Sequence, residues 1–238
     1  MPANRGLQKA MRLALAEAAD PKKAGPMQAY MKSDMPYCGV SAVPLRAVCK
    51  DLFARFPVET ERDWRDTATA IWDDARYREE RYVATELTGL KAYLDYQTPD
   101  ALALYEHFIV DGAWWDHVDA VAVHRVGPLL REFLDEIEPV MRAWSTDADM
   151  WRRRTSIICQ VGSKAETDLE LLYDCIEANM ADKEFFIRKA IGWALRQYAW
   201  LNPMEIERYV LAHEDRLSGL SRREALKNIS KASAKLRK

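Results

Sequence analysis

The chain is 238 residues long, 49% apolar and 30% charged, with a formal net charge of −2. This is the make-up of a folded globular protein, which excludes a disordered chain and one coated uniformly in base. No apolar run approaches the roughly 20 residues that span a bilayer, and residues 1–6 lack the apolar segment of a secretory signal.

Apolar residues recur at spacings of three and four, and alternating β-branched runs are absent, so nearly every long segment reads as helix. In chain order, helices are expected near 5–20, 25–33, 43–56, 59–75, 78–96, 100–110, 114–137, 139–147, 150–162, 167–179, 183–201, 203–215 and 221–236. Pro21, Pro44, Pro57, Pro99, Pro139 and Pro203 stand at starts or ends of these segments. Pro128, within Val126-Gly127-Pro128-Leu129-Leu130, is expected to kink the 114–137 helix or divide it. Connections are short, and no Gly/Ser linker or low-complexity tract separates domains.

The helices carry a register. Ala84, Asp119, Arg154, Arg188 and Arg223 each begin the inner stretch of a helix, and they are separated by 35, 35, 34 and 35 residues. A helix pair needs about that length, and stacked pairs bury a continuous core. The expected fold is therefore all-α: a curved α-solenoid of two-helix repeats with a concave binding face, one domain over 1–238. Residues 1–40 fit the period poorly and read as N-terminal cap helices, and 228–238 read as a basic tail. Asp119, Arg154, Arg188 and Arg223 should line one surface, with Arg154 able to face Asp119 or a ligand between them.

Charge is uneven along this array. Residues 182–238 carry thirteen Lys/Arg against seven Asp/Glu, net +6, and the remainder is net −8. A basic end of this kind can contact an anionic polymer, although solvated helix faces would give the same count. Cys38, Cys49, Cys159 and Cys175 lack CxxC spacing and are expected as reduced core residues of a cytosolic protein. With four histidines and scattered cysteines, no metal site is expected.

The stretch Trp114-Trp115-Asp116-His117-Val118-Asp119 runs directly into Ala120-Val121-Ala122-Val123. It puts a carboxylate inside an apolar helix, one turn after an indole on the same face. Such a carboxylate is costly unless satisfied. Trp114, Val118 and Val121 form an apolar stripe expected in the core, with Trp115 at its edge. By pattern alone, Trp115 and Trp193 would be core and Asp119 half of a structural ion pair with Arg154.

Four segments together resemble the AlkD-like bacterial alkylpurine DNA glycosylases, which are built of HEAT-like helical repeats. They are Trp114-Trp115-Asp116-x-Val118-Asp119, Trp151-x-x-Arg154, Lys183-Glu184-Phe185-Phe186-Ile187-x-Lys189-Ala190-Ile191-Gly192-Trp193, and Leu220-Ser221-x-Arg223-Glu224-Ala225. Tyr30-Met31-Lys32 followed by Gly39-Val40 also fits. The resemblance implies hydrolysis of the N-glycosidic bond of N3- or N7-alkylated purines in duplex DNA, without a cofactor. It implies the catalytic carboxylate at Asp119, active-site indoles at Trp115 and Trp193, and a phosphate-binding arginine at Arg154. Tyr30 matches a position near the cleft. Ser41 stands where the family typically has Gln or Thr, a departure at a possible DNA contact. Arg188, Lys189 and Arg223 are candidate phosphate contacts, and Arg152 and Arg153 are atypical extra bases.

The chemistry suits these residues. Alkylation at N3 or N7 makes the purine a cationic leaving group, so no general acid is needed and the scarcity of histidine is no obstacle. The sugar acquires oxocarbenium character as the bond breaks, and a carboxylate near C1′ can stabilise it and orient water. Indole faces attract cationic and polarised C–H groups, and an arginine on the adjacent phosphate positions the nucleotide without reading sequence. The resemblance also implies a lesion engaged through its backbone and sugar, without the tight pocket into which many glycosylases flip a base. The resulting expectation is a monomeric, monofunctional hydrolase acting on cytoplasmic, nucleoid DNA. The alternative is a non-catalytic helical-repeat scaffold for structured DNA or a protein partner.

Overall fold

The computed structural model describes residues 4–236, and all regular structure among them is helical. The chain forms two compact units, Met1–Gln97 and Thr98–Lys238. The first holds α1 (Arg5–Glu17), α2 (Pro21–Met31), α3 (Ala42–Arg55), α4 (Glu61–Asp73), α5 (Arg78–Leu87) and a 3-10 segment, Lys91–Tyr96. The second holds α6 (Leu102–Gly112), α7 (Trp115–Val121), α8 (Gly127–Glu132), α9 (Leu134–Trp144), α10 (Met150–Ile158), α11 (Leu169–Glu177), α12 (Phe185–Tyr198), α13 (Pro203–Ala212), α14 (Gly219–Leu226) and α15 (Ile229–Leu236). Arg237 and Lys238 of the expected tail, like Met1–Ala3 of the expected cap, lie outside the described residues.

The fold class is the expected all-α solenoid. In the second unit α7, α10, α12 and α14 pack in succession as one row, and α9 and α11 pack as a second row against α10. Row neighbours are tied by polar contacts between adjacent repeats. Asn179 Nδ2 donates to the Ser145 carbonyl at 2.8 Å, Tyr173 donates to Glu205 at 2.7 Å, and Ser221 Oγ donates to the Arg188 carbonyl at 2.9 Å. These pairs are 34, 32 and 33 residues apart, close to the 34- to 35-residue step of the sequence.

Two glycines mark close approaches between neighbouring segments of the second unit. A methyl group at Gly192 on α12 would sit 2.5 Å from Glu224 Cβ and 2.9 Å from the Ser221 carbonyl oxygen on α14. One at Gly127 would lie 2.2 Å from the Cys159 carbonyl oxygen.

Several helix limits differ from the expectation. The helix expected over 114–137 is three pieces: α7, a π-helical turn over Ala122–Val126, then α8, which stops at Phe133 (φ −126°, ψ 58°). Pro128 has no N–H to continue the α ladder, and the Gly127 N–H reaches back to the Ala122 carbonyl in the wider π pattern. Pro139 does not open a helix but lies inside α9. There it is exposed, and the carbonyl it leaves without a donor belongs to exposed Asp135. Helix α2 begins at Pro21, four residues early, because Asp20 caps it by accepting from the Lys22 N–H at 3.0 Å. Gly89 follows the end of α5, and the rest of 78–96 is the 3-10 segment. The segment expected as one helix over 221–236 is α14 and α15, parted at residues 227–228.

In the first unit, the carboxylate of fully buried Glu79 accepts from three consecutive backbone N–H groups, Cys38 at 3.0 Å, Gly39 at 2.8 Å and Val40 at 3.0 Å. Gly39 has φ 87°, where a side chain would meet the Asp20 carbonyl at 2.1 Å. Glu79 thereby fixes the turn that leads into Ser41 and α3.

Candidate active site

Asp119 lies in the middle of α7, whose start is set by a sharp corner. Ala113 closes α6 in the left-handed region (φ 38°), and Trp114 follows in extended backbone (φ −153°) before the helix begins at Trp115. This corner separates the two indoles. Trp114 is half-buried against Trp151 and Phe186, with ring centroids 6.2 and 5.3 Å away. It therefore stands ahead of the Val118–Val121 stripe rather than within it, and those two valines are fully buried as expected. Trp115 is half-buried and shares the Asp119 face of α7, one turn earlier.

The Asp119 carboxylate is gripped by Arg154 of α10. Arg154 Nε donates to Oδ1 at 2.7 Å and Nη2 to Oδ2 at 2.8 Å, a two-pronged pair. A third donor, Nη1, binds the carbonyl of Phe186 at the start of α12. Arg154 thus joins α7, α10 and α12. Its side chain is 6% exposed, whereas that of Asp119 is 19% exposed, so the carboxylate is the more accessible partner. Three of the five guanidinium N–H groups are used within the protein, leaving two.

Burial raises the Asp119 carboxyl above its ordinary value of 3.8. The hydrogen bonds and charge of Arg154 oppose that rise, and Asp116 adds to it. Together they make a partly desolvated carboxylate next to a fixed cation, a site able to stabilise a developing positive charge.

Helix α12 presents Phe186, Lys189, Trp193 and Arg196 along one stripe, at spacings of three, four and three. Trp193 on this stripe is half-buried. Lys189 is already engaged, its Nζ 3.1 Å from Glu224 Oε1, and the same carboxylate binds Arg196. Arg188 lends its backbone carbonyl to Ser221. Arg223 is exposed on α14. Tyr30, near the end of α2, is 76% exposed, and Ser41 caps α3 without a side-chain hydrogen bond to it. Both belong to the first unit.

The atypical arginines face inward. Arg152 pairs with Glu106 at 2.7 Å and Asp147 at 3.0 Å, and Arg153 pairs with Asp182 at 3.1 Å. Two residues escaped the sequence reading although their motifs were quoted. Phe186 is 35 residues after Trp151 and packs on it, and Glu224 is 35 after Lys189 and pairs with it. Extending the register beyond its five first positions would have found both. The four cysteines are all unpaired, with Cys38 half-buried and the others buried. Among the described residues no helix is long and apolar enough to cross a membrane.

The fold and the site together define an all-α helical-repeat protein with an arginine-clamped carboxylate in the row formed by α7, α10, α12 and α14. The sequence matches the family described as DNA alkylation repair enzyme over residues 11–229. The structure is similar to a solved protein described as a predicted DNA alkylation repair enzyme from Enterococcus faecalis, with TM-score 0.78 and 30% identity. That match covers 90% of this chain and 97% of the other. No curated protein matches. The chain belongs to the DNA alkylation repair enzyme family.

Proposed function

We propose that the protein is a monofunctional DNA glycosylase that releases N3- and N7-alkylated purines from duplex DNA. The observation that carries this reading is the Asp119 carboxylate, held by two hydrogen bonds from Arg154 at 2.7 and 2.8 Å yet the more exposed of the pair.

In this mechanism the bond between C1′ and the purine nitrogen breaks, and its electron pair leaves with the base, neutralising the alkylated ring. Asp119 stabilises the oxocarbenium ion at C1′ and takes the proton of the water that attacks it. Arg154 keeps Asp119 oriented and offers its two unused N–H groups to the adjacent phosphate. Trp115 and Trp193 hold the deoxyribose and exclude bulk water. Tyr30, Ser41, Arg188 and Arg223 are the proposed outer contacts to DNA, whereas Lys189, already paired with Glu224, is not among them. The lesion is engaged through sugar and backbone rather than in a tight base pocket. The enzyme acts as a monomer on cytoplasmic, nucleoid DNA and needs no cofactor.

The test is release of 7-methylguanine and 3-methyladenine from methylated duplex. Wild type should release at least one base above background, and Asp119→Asn should lower that rate by about 100- to 1000-fold. No release by wild type would leave the scaffold reading in its place. An unchanged rate in Asp119→Asn would remove the carboxylate from its assigned role.

A further inference from the structure

Glu224 of α14 is a half-buried acid beside Trp193 that the mechanism above does not use. Its carboxylate bridges Lys189, at 3.1 Å, and Arg196, the two cations that flank Trp193 on α12. Arg196 also donates to the Glu224 backbone carbonyl at 3.3 Å. The acid is held close because Gly192 lets α14 approach α12. Side-chain exposures are 16% for Glu224, 18% for Arg196 and 36% for Lys189. The lysine is thus the part of the triad that a polyanion could reach.

We propose that Glu224 is a positioning residue that suppresses binding to undamaged DNA. By holding Lys189 and Arg196 in an internal ion pair beside Trp193, it keeps these cations from binding phosphate on undamaged DNA. Phosphate contacts attract every duplex equally. A cation freed on this stripe would strengthen binding to undamaged DNA as much as binding to a lesion, and would erode the enzyme's search. An acid that cancels one charge there lowers the background while leaving Trp193 in place. Burial alone would raise the Glu224 carboxyl, but Lys189 and Arg196 outweigh it and hold the group below its ordinary range, so it is ionised at neutral pH. The inference rests on the reading above in one respect, that this face of α12 meets DNA.

The test measures binding of a fluorescent undamaged duplex across a salt series, by wild type, Glu224→Gln, Lys189→Met and the double variant. Glu224→Gln should bind about tenfold more tightly at low salt, with a log–log salt slope steeper by about one, for the one charge that Glu224 cancels. Lys189→Met alone should leave the slope of wild type unchanged, because its charge is already taken up internally. In the Glu224→Gln background the same substitution should abolish the gain. A merely structural Glu224 would lower the melting temperature without moving the salt slope, and that result would overturn the proposal. So would a Lys189→Met slope shallower by about one in the wild-type background, which remains measurable if Glu224→Gln does not fold. Base release is scored in parallel. Steeper binding without base release by wild type would defeat the glycosylase reading and keep this one, and base release with an unmoved slope would do the reverse.

Discussion

Arg154 and Asp119, 35 residues apart, meet through a two-pronged pair while the same guanidinium reaches forward 32 residues to the Phe186 carbonyl. One side chain therefore ties three consecutive helices of the row α7, α10, α12 and α14. A buried ion pair adds little net stability compared with apolar groups of equal size, but breaking it from one side is expensive. Arg154→Met should lower stability by about 3–5 kcal/mol. Asp119→Leu combined with Arg154→Met should recover part of that loss. Urea denaturation measures both, and equal losses in the single and double variants would show that no uncompensated charge is left behind.

The raised Asp119 carboxyl bears on pH dependence. The ionised form is the one that stabilises the sugar cation, and burial shifts its protonation to higher pH than for a free aspartate. As pH falls, enzyme-dependent base release should therefore decline with a midpoint above the ordinary 3.8. The same sign applies to stability: with its folded value raised, Asp119 favours the folded state most at low pH and loses that contribution as pH rises through the folded value. The check is a single-turnover profile corrected for spontaneous depurination. A midpoint at or below the ordinary value would contradict the desolvated site.

Gly192→Ala replaces a residue of poor helix propensity by the best one, a gain of about 1 kcal/mol in an open helix. Here sterics decide the sign, because the new methyl would meet Glu224 Cβ at 2.5 Å and the Ser221 oxygen at 2.9 Å. Overpacking of this kind costs about 1–3 kcal/mol or more. The melting temperature should fall, and a rise would mean that α14 moves away freely.

Glu79→Gln keeps the size of the buried side chain but turns one acceptor oxygen into a donor facing a backbone N–H. The Cys38, Gly39 and Val40 donors cannot then all be satisfied. A loss of about 1–3 kcal/mol is expected. Amide hydrogen exchange should accelerate at these residues, and unchanged protection there would argue that the turn holds itself.

Legibility in the sequence followed the range of the interactions. Helical spacing placed nearly every helix, and the 35-residue step predicted the meeting of Arg154 with Asp119, since both depend on patterns repeated along the chain. The exceptions came from single local events. The π turn at Ala122–Val126 depends on how Gly127 and Pro128 re-route one hydrogen bond, and the tolerance of Pro139 depends on its facing solvent. Spacing alone puts Trp114 in the valine stripe, because nothing in it reveals the left-handed corner at Ala113. The pairing of Glu224 is invisible to a charge count by segment, because its partners Lys189 and Arg196 lie about one repeat away on the neighbouring helix.

The ties at 32, 33 and 34 residues also bear on how the chain leaves the ribosome. Each bond of this kind needs only the next helix pair to have emerged, so none of them waits for the distant C-terminus. The second unit can wind up in the order of its synthesis, each new repeat docking on a finished face. Arg154 marks a closing step in that order: its grip on Asp119 forms as α10 appears, and its hold on Phe186 locks when translation reaches α12.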